Sequence, residues 1–248
     1  GRQQWDKAAN AANKARKGYK PMDEAGLHDG FYDLKNKEWM WGFDHSTETS
    51  TVYASFFSMI SNLTPGYAGL GYAPKLIDAR LYSMIPADDY RKTQFNGADG
   101  DSSQPTAAAQ RPYANVKFGT DGNWTMDYVY MRAAEMYLIE AEALVRQDKN
   151  TEAATVLKEL MTYRQPSWNK TSVTLDDVLL QRRIELWGEG FNYFDLKRNN
   201  LGIDRAYEGS NHMTKIVVPA QDVRWTYQIP QTEFNENKLL NVDEDQNP

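Results

Sequence analysis

The stretch from Leu179 to Arg198 combines a helical apolar stripe with opposed charges, and few folds can accommodate both. Leu180, Ile184, Trp187 and Phe191 recur at helical spacing, so one face is made for a core. Arg182, Glu185 and Glu189 fall on one side of the same helix and are placed to pair. Gly188 and Gly190 loosen the helix where an aromatic cluster begins, and Gly190 is suited to end it. Asp195, Lys197 and Arg198 form a short charged tail. From the residues alone this is an amphipathic helix running into a packed aromatic corner.

Other helices are legible on either side. Residues 3–18 are rich in Ala and Lys and closed by Gly18. Trp5, Ala8, Ala9, Ala12 and Ala15 give that helix a thin face, which calls for a close-packed neighbour. The spacing predicts a long helix over Asp127–Gln147, capped by Asp127, with Met131, Ala134, Leu138, Ala141 and Val145 in one stripe. Asn150 caps a partner helix over 151–163, so the two make an αα-hairpin of tetratricopeptide type. Thr174 and Asp177 have the spacing of a capping box before the central helix.

Strands are fewer. Glu38 to Phe43 alternates like a half-buried strand with Trp39, Trp41 and Phe43 on one side. Residues 215–218 and 224–229 flank Pro219-Ala220-Gln221-Asp222 and read as a β-hairpin. Asp121-Gly122 marks a tight turn of hairpin type. The Gly-, Ser- and Ala-rich run 96–111 is expected to be a flexible surface loop.

Composition narrows the function classes. A chain of 248 residues can bury a sizeable core. A formal charge of −6 argues against a nucleic-acid surface. Without cysteine there is neither a disulfide nor a thiolate metal site. His28, His45 and His212 stand far apart, with no metal-ligand spacing. No Gly-x-Ser-x-Gly elbow, phosphate loop or selected carboxylate pair points to catalysis, and no cofactor is expected. The chain has 7 Trp and 15 Tyr, rings that fill cores and also make stacking platforms.

Those rings concentrate between His45 and Tyr72. A hydroxyl-rich run, His45 to Thr51, precedes Tyr53, Phe56, Phe57, Tyr67 and Tyr72 on a backbone broken by Pro65, Gly66, Gly69 and Gly71. This is either an unusually hydrophobic loop or a ligand face. Trp39 and Trp41 likewise suit a core as well as a site.

Four separated segments resemble the SusD/RagB family, in the family's own order. They are the Tyr130-Met131-Arg132-Ala133-Ala134-Glu135 helix continuing to Ala143, and Arg182-Arg183-Ile184-Glu185-Leu186 with Glu189-Gly190 and Phe194-Asp195-Leu196-Lys197-Arg198. The others are Ile229-Pro230-Gln231-Thr232-Glu233-Phe234 with Asn237, and the terminal Gln246-Asn247-Pro248. Met131 stands where the family usually has Leu, and Ala133 where Tyr is usual. Glu38 to Phe43 and Asp78-Ala79-Arg80 match by layout. The resemblance covers roughly 128–248 strongly and 1–127 only in general plan.

The resemblance implies a mainly α, SusD-like fold of tetratricopeptide-type helical hairpins, irregular loops and a small β-hairpin. It treats 1–248 as a C-terminal region: a last repeat helix at 1–20, a loop-rich ligand face at 38–125 and a family core at 126–248. It implies a lipid-anchored protein on the extracellular face of the outer membrane. Such a protein captures oligosaccharide or polysaccharide for a SusC-like TonB-dependent transporter, without catalysis. The chain then reads as a mature fragment or trimmed piece whose signal peptide and lipid anchor lie elsewhere. Within the ring-rich segment the expected ligand contacts are Trp41, Tyr53, Phe57, Tyr67 and Tyr72, with His45 and Asn62 as polar neighbours. The alternatives are a helical protein-interaction scaffold, a binder of another cargo such as peptides, or an all-α carbohydrate-active enzyme.

Overall fold

The computed structural model describes residues 2–50 and 53–247; Gly1, Thr51 and Val52, and the Pro248 of the terminal motif lie outside the described residues. The chain divides into two compact units, Gly1–Glu189 and Gly190–Pro248. In the first, α1 (Trp5–Ala15), α2 (Glu24–Leu27), β1 (Trp39–Phe43), α3 (Phe56–Ile60) and α4 (Ala79–Ser83) precede β2 (Tyr128–Arg132). Then come α5 (Ala133–Val145), α6 (Asn150–Met161) and α7 (Leu175–Glu185). The second unit holds α8 (Asn192–Arg198), β3 (Ile203–Asp204), β4 (Val217–Val218), α9 (Gln231–Glu236) and α10 (Val242–Asp245). It is a mainly helical protein with tetratricopeptide-type hairpins and two small antiparallel sheets.

α5 is the central helix of the first unit, packed against α1, α6 and α7. Ala134, Leu138 and Ala141 are sealed inside. The small-residue face of α1 finds its neighbour in α5: Ala12 is buried, and Arg16 reaches over to Glu140 at 2.7 Å. Arg16 also lies over the Tyr137 ring, 4.3 Å from its centroid. α7 starts as its sequence indicates. The Thr174 side chain accepts the Asp177 N–H while Asp177 accepts the Thr174 N–H. Thr174→Ala is expected to cost about 1 kcal/mol, seen as a lower urea midpoint.

The helix expected from Asp127 begins only at Ala133, because residues 128–132 are strand. Tyr-Val-Tyr-Met is aromatic and β-branched enough to pair, and β1 offers it an antiparallel partner. Asp127 therefore caps no helix; its carboxylate accepts the N–H groups of Leu34 and His45, both at 2.9 Å. Register shifts on either side of Trp41 break the alternation of β1. Trp39 turns into the core beside Phe31, while Trp41 and Phe43 face solvent, so the three rings do not share a side.

In the second unit β4 pairs with β3, not with residues 224–229. Asp222 caps a 3-10 turn over Val223–Trp225, and the buried Trp225 donates its indole N–H to the Pro219 carbonyl. That turn uses up the residues a returning strand would need. The run 96–111 is likewise ordered. Asn96 donates to the carbonyls of Ala109 and Arg111, and Ala108 and Ala109 are buried. The cap of α6 falls on Lys149, one residue before Asn150. Asp121-Gly122 is an Asx turn, with Asp121 accepting from the N–H groups of Asn123 and Thr125, and no strand pair flanks it.

α7 ends at Glu185, and Gly188 and Gly190 turn the chain with φ of +78° and +88°. Ile184, with Leu180 and Trp187, joins the core around Ile77, Leu81, Ile85 and Phe95. The carboxylates of this stretch meet cations from far along the chain. Glu185 takes Arg91 at 3.1 Å, Arg132 at 2.7 Å and Arg164 at 2.8 Å. Glu189 takes Lys117 at 2.5 Å and Arg132 at 2.8 Å. Glu38 meets Arg132 and Arg164, and Asp89 meets Arg91. These four cations and four carboxylates balance in charge, and nearly all are sealed from solvent. Burial alone would raise the Glu185 carboxyl, but Arg164, Arg132 and Arg91 hold it well below the usual carboxylate range. The cluster ties the start of β1 to the end of β2 and so sets the ribbon that the candidate site stands on.

Candidate functional site

Residues 53–75 form a platform anchored from beneath. Ser55 caps α3 by accepting the Ser58 N–H. Phe57 then drops into the core with no exposed surface, among Phe31, Trp39 and Phe118. The returning chain docks on α3: the Tyr67 N–H donates to Ser58 Oγ at 2.8 Å, and the Ala68 N–H to the Ser58 carbonyl at 2.8 Å.

Asn62 closes the base of this Ω-shaped loop. Its Nδ2 donates to the carbonyls of Lys75 (2.8 Å) and Asn115 (3.1 Å), and its Oδ1 accepts the Lys75 N–H (2.9 Å). The expectation that Phe57 and Asn62 touch ligand is therefore corrected. Phe57 is the anchor that a mixed apolar-aromatic helix must bury, and every polar atom of the Asn62 amide is oriented toward backbone.

With the base fixed, three rings stand outward. Tyr67 and Tyr72 stack with centroids 5.5 Å apart and planes 26° from parallel. Tyr53 meets Tyr67 edge-on at 6.1 Å. Tyr72 is 70% exposed, and Tyr53 and Tyr67 over a third. Burial, then Tyr72 and Tyr67, push the Tyr53 phenol up, so it stays neutral at ordinary pH. The cluster offers uncharged ring faces with hydroxyl tips. At Gly69 a side chain would collide with the Thr64 carbonyl oxygen. Gly69→Ala is expected to cost about 1–3 kcal/mol and to speed hydrogen exchange at the Tyr67 and Ala68 amides.

Trp41 and His45 stand on the β1 side. Trp41 is 62% exposed and packs against Tyr130. His45 is half-buried, with Nδ1 2.7 Å from the Thr49 carbonyl, and its ring lies edge-on to Phe43 and Tyr128. Nδ1 donates there, and Nε2 has no hydrogen-bond partner among the described residues. Beside His45 opens a cleft of about 440 Å³ lined by Asp33, Asp44, Asp121, Thr125 and Asp127 among others.

The structure thus gathers Tyr53, Tyr67 and Tyr72, places Trp41 and His45 on the ribbon, and withdraws Phe57 and Asn62. Sequence reasoning missed Tyr128 and Tyr130 as exposed or ring-contacting neighbours. A period-2 reading of Tyr128 and Tyr130 was the signal that could have found the two tyrosines. Among the described residues no group of three or more His, Asp or Glu side chains could hold a metal ion, and no helix is long and apolar enough to cross a membrane.

Comparison with known proteins adds a second, independent observation. The model of the SusD family matches residues 90–248. A SusD-like protein P38 of Formosa agariphila is 27% identical over 128 residues, 47% of this chain and 25% of that one. A SusD-like carbohydrate binding protein from Bacteroides vulgatus superposes with a TM-score of 0.76 at 28% identity, over 97% of this chain and 56% of its own. The surface glycan-binding protein A of Bacteroides uniformis shares the fold, with a TM-score of 0.69 at 21% identity over 98% of this chain and 56% of that one. The chain thus spans about half the length of these solved relatives, and its match to the curated one covers a quarter of that protein.

Proposed function

From a chain that belongs to the SusD family, we propose a non-catalytic protein that binds glycan at the Tyr53–Tyr67–Tyr72 platform. One observation carries this reading: neutral, solvent-facing rings stand on a loop whose base is fully hydrogen-bonded. A pyranose lays its C–H face on such rings and turns its hydroxyls to the phenol tips and neighbouring carbonyls. The Bacteroides vulgatus relative, described as carbohydrate binding, supports the same reading. So does the fate of the motif carboxylates. Glu185 and Glu189 are committed to buried cations, which removes them as candidate acid–base groups.

Family membership supports a wider role, which we propose as follows. The bound glycan is passed to a SusC-like TonB-dependent transporter, and the protein works at the extracellular face of the outer membrane, held there by a lipid anchor. Affinity electrophoresis through gels containing a panel of polysaccharides tests the binding step. Retardation by at least one glycan is expected. Retardation by none, with peptides bound instead, would assign a different cargo. Release of reducing ends from any retarding glycan would overturn the non-catalytic part. Recovery of a TonB-dependent transporter with the protein from solubilised outer membranes tests the partnership.

A further inference from the structure

We infer that Asn115 is a positioning residue for the Tyr53–Tyr67–Tyr72 platform: from 53 residues beyond Asn62 it holds the end of α3 and both ends of the ring-bearing loop. This rests on the glycan-binding reading above. Asn115 is fully buried. Its Nδ2 donates at 2.8 Å to the Ile60 carbonyl, one of those that the end of α3 leaves without a donor inside the helix. Its backbone carbonyl accepts Asn62 Nδ2 at 3.1 Å, and its backbone N–H donates to the Lys75 carbonyl at 3.0 Å. One residue thus meets Ile60 and Asn62 where the chain enters the loop, and Lys75 where it leaves. Tyr67 and Tyr72 lie between those ends, and Tyr53 lies just before α3.

Asn115 is itself fixed. Its Oδ1 accepts the N–H groups of Lys117 at 3.1 Å and Phe118 at 3.4 Å, so the amide is oriented with Nδ2 toward α3. The Val116 N–H donates to the Gln94 carbonyl at 2.9 Å. The Lys117 ammonium donates to the carbonyls of Glu185 and Trp187, both at 3.0 Å, besides its contact with Glu189. Residues 115–119 are thereby fastened to the buried charge cluster, and the loop is fastened to them. Ser61 Oγ and Thr64 Oγ1 add bonds to the Phe118 and Gly119 carbonyls.

Sealed from solvent, Asn115 meets no ligand and acts on binding only through the loop. A loosened loop has to be ordered again when ligand stacks on its rings, and that ordering lowers the affinity. The two ends of the Asn115 amide are not interchangeable. An aspartate substituted there has the same shape and keeps the two bonds that Oδ1 accepts, but it sets an oxygen against the Ile60 carbonyl in place of a donor. One buried hydrogen bond exchanged for a repulsion shifts the opening of the loop by about tenfold or more.

The test compares the wild type with Asn115→Asp, with Asn115→Ala, which introduces no buried charge, and with Thr174→Ala, which lowers stability away from the loop. Amide hydrogen exchange reads the loop without ligand. Both Asn115 variants should speed exchange at the Tyr67 and Ala68 amides by about tenfold, and Thr174→Ala should leave them at the wild-type rate. Calorimetric titration with a glycan that retards the protein should show affinity about fivefold weaker for the Asn115 variants and unchanged for Thr174→Ala. In a Tyr67→Ala/Tyr72→Ala background the same Asn115 exchange should leave the residual binding unaltered. The inference is overturned if Thr174→Ala speeds the two amides as much, if the Asn115 variants leave them unchanged, or if the Asn115 loss persists in full once both rings are gone. It is equally overturned if neither Asn115 variant folds, which would make the residue part of the core with no separate role at the platform. Should no glycan bind the wild type, the glycan reading fails, and the exchange comparison still decides whether Asn115 positions the rings.

Discussion

Replacing Glu185 by Gln is expected to lower the stability of the first unit by about 3–5 kcal/mol, read as a fall in the urea midpoint with unchanged slope. The size follows from what the carboxylate holds. Its two oxygens serve guanidinium groups of Arg91, Arg132 and Arg164, all sealed from water. An amide is the same shape, but it removes the negative charge and aims an N–H₂ group at positive donors. Three buried cations then share one carboxylate fewer. Natural domains hold only about 5–15 kcal/mol in total, so this single atom exchange consumes a large share.

The pH dependence has a definite sign. The folded-state carboxyl is held below its unfolded value, so its contribution is complete above the ordinary carboxylate value of 4.5 and fades as pH falls through the folded value. The wild type should lose stability on acidification more steeply than Glu185→Gln. A variant with the same acid limb as the wild type would show that Glu185 titrates no differently in the fold.

Removing the stacked pair, Tyr67→Ala with Tyr72→Ala, should weaken glycan binding by about 100-fold, close to 2.7 kcal/mol. Tyr72 is the most exposed ring of a loop whose fixation lies elsewhere, in Asn62, Ser58 and the buried Ala68. The urea midpoint should therefore move by less than about 0.5 kcal/mol equivalent, as for ordinary surface substitutions. Asn62→Ala makes the contrasting case. It leaves the rings intact but frees the loop base, so it should lower stability and binding together. If Tyr67→Ala/Tyr72→Ala instead lowers the midpoint strongly and leaves binding unaltered, the rings are structural and the site is elsewhere.

Much of the helical scaffold is local and so was readable. The α7 capping box, the α5–α6 hairpin and the Ala-rich face of α1 all follow from spacings of three and four residues. The longest error, a helix begun at Asp127, arose because Tyr-Val-Tyr-Met satisfies a helical stripe as well as a strand; only the presence of β1 opposite it decides for the strand. The geometry of the candidate site was half legible. Three tyrosines could be selected as rings on a broken backbone, yet Phe57 in the same segment could not be told apart from them. Which ring turns inward depends on Phe31, Trp39 and Phe118 waiting below.

The chain by itself determined the helical hairpins, their caps, the family motifs and the position of the ring-rich loop, since each is written in neighbours a turn or two apart. Tertiary structure alone decided that Trp41 faces out while Trp39 faces in, that Asn62 is a clamp, and that Glu185 is held by arginines from three distant segments. Glu38 and Arg164, 126 residues apart, belong to the same cluster. Burial and charge pairing are properties of what surrounds a side chain, and those surroundings exist only once the chain has closed on itself.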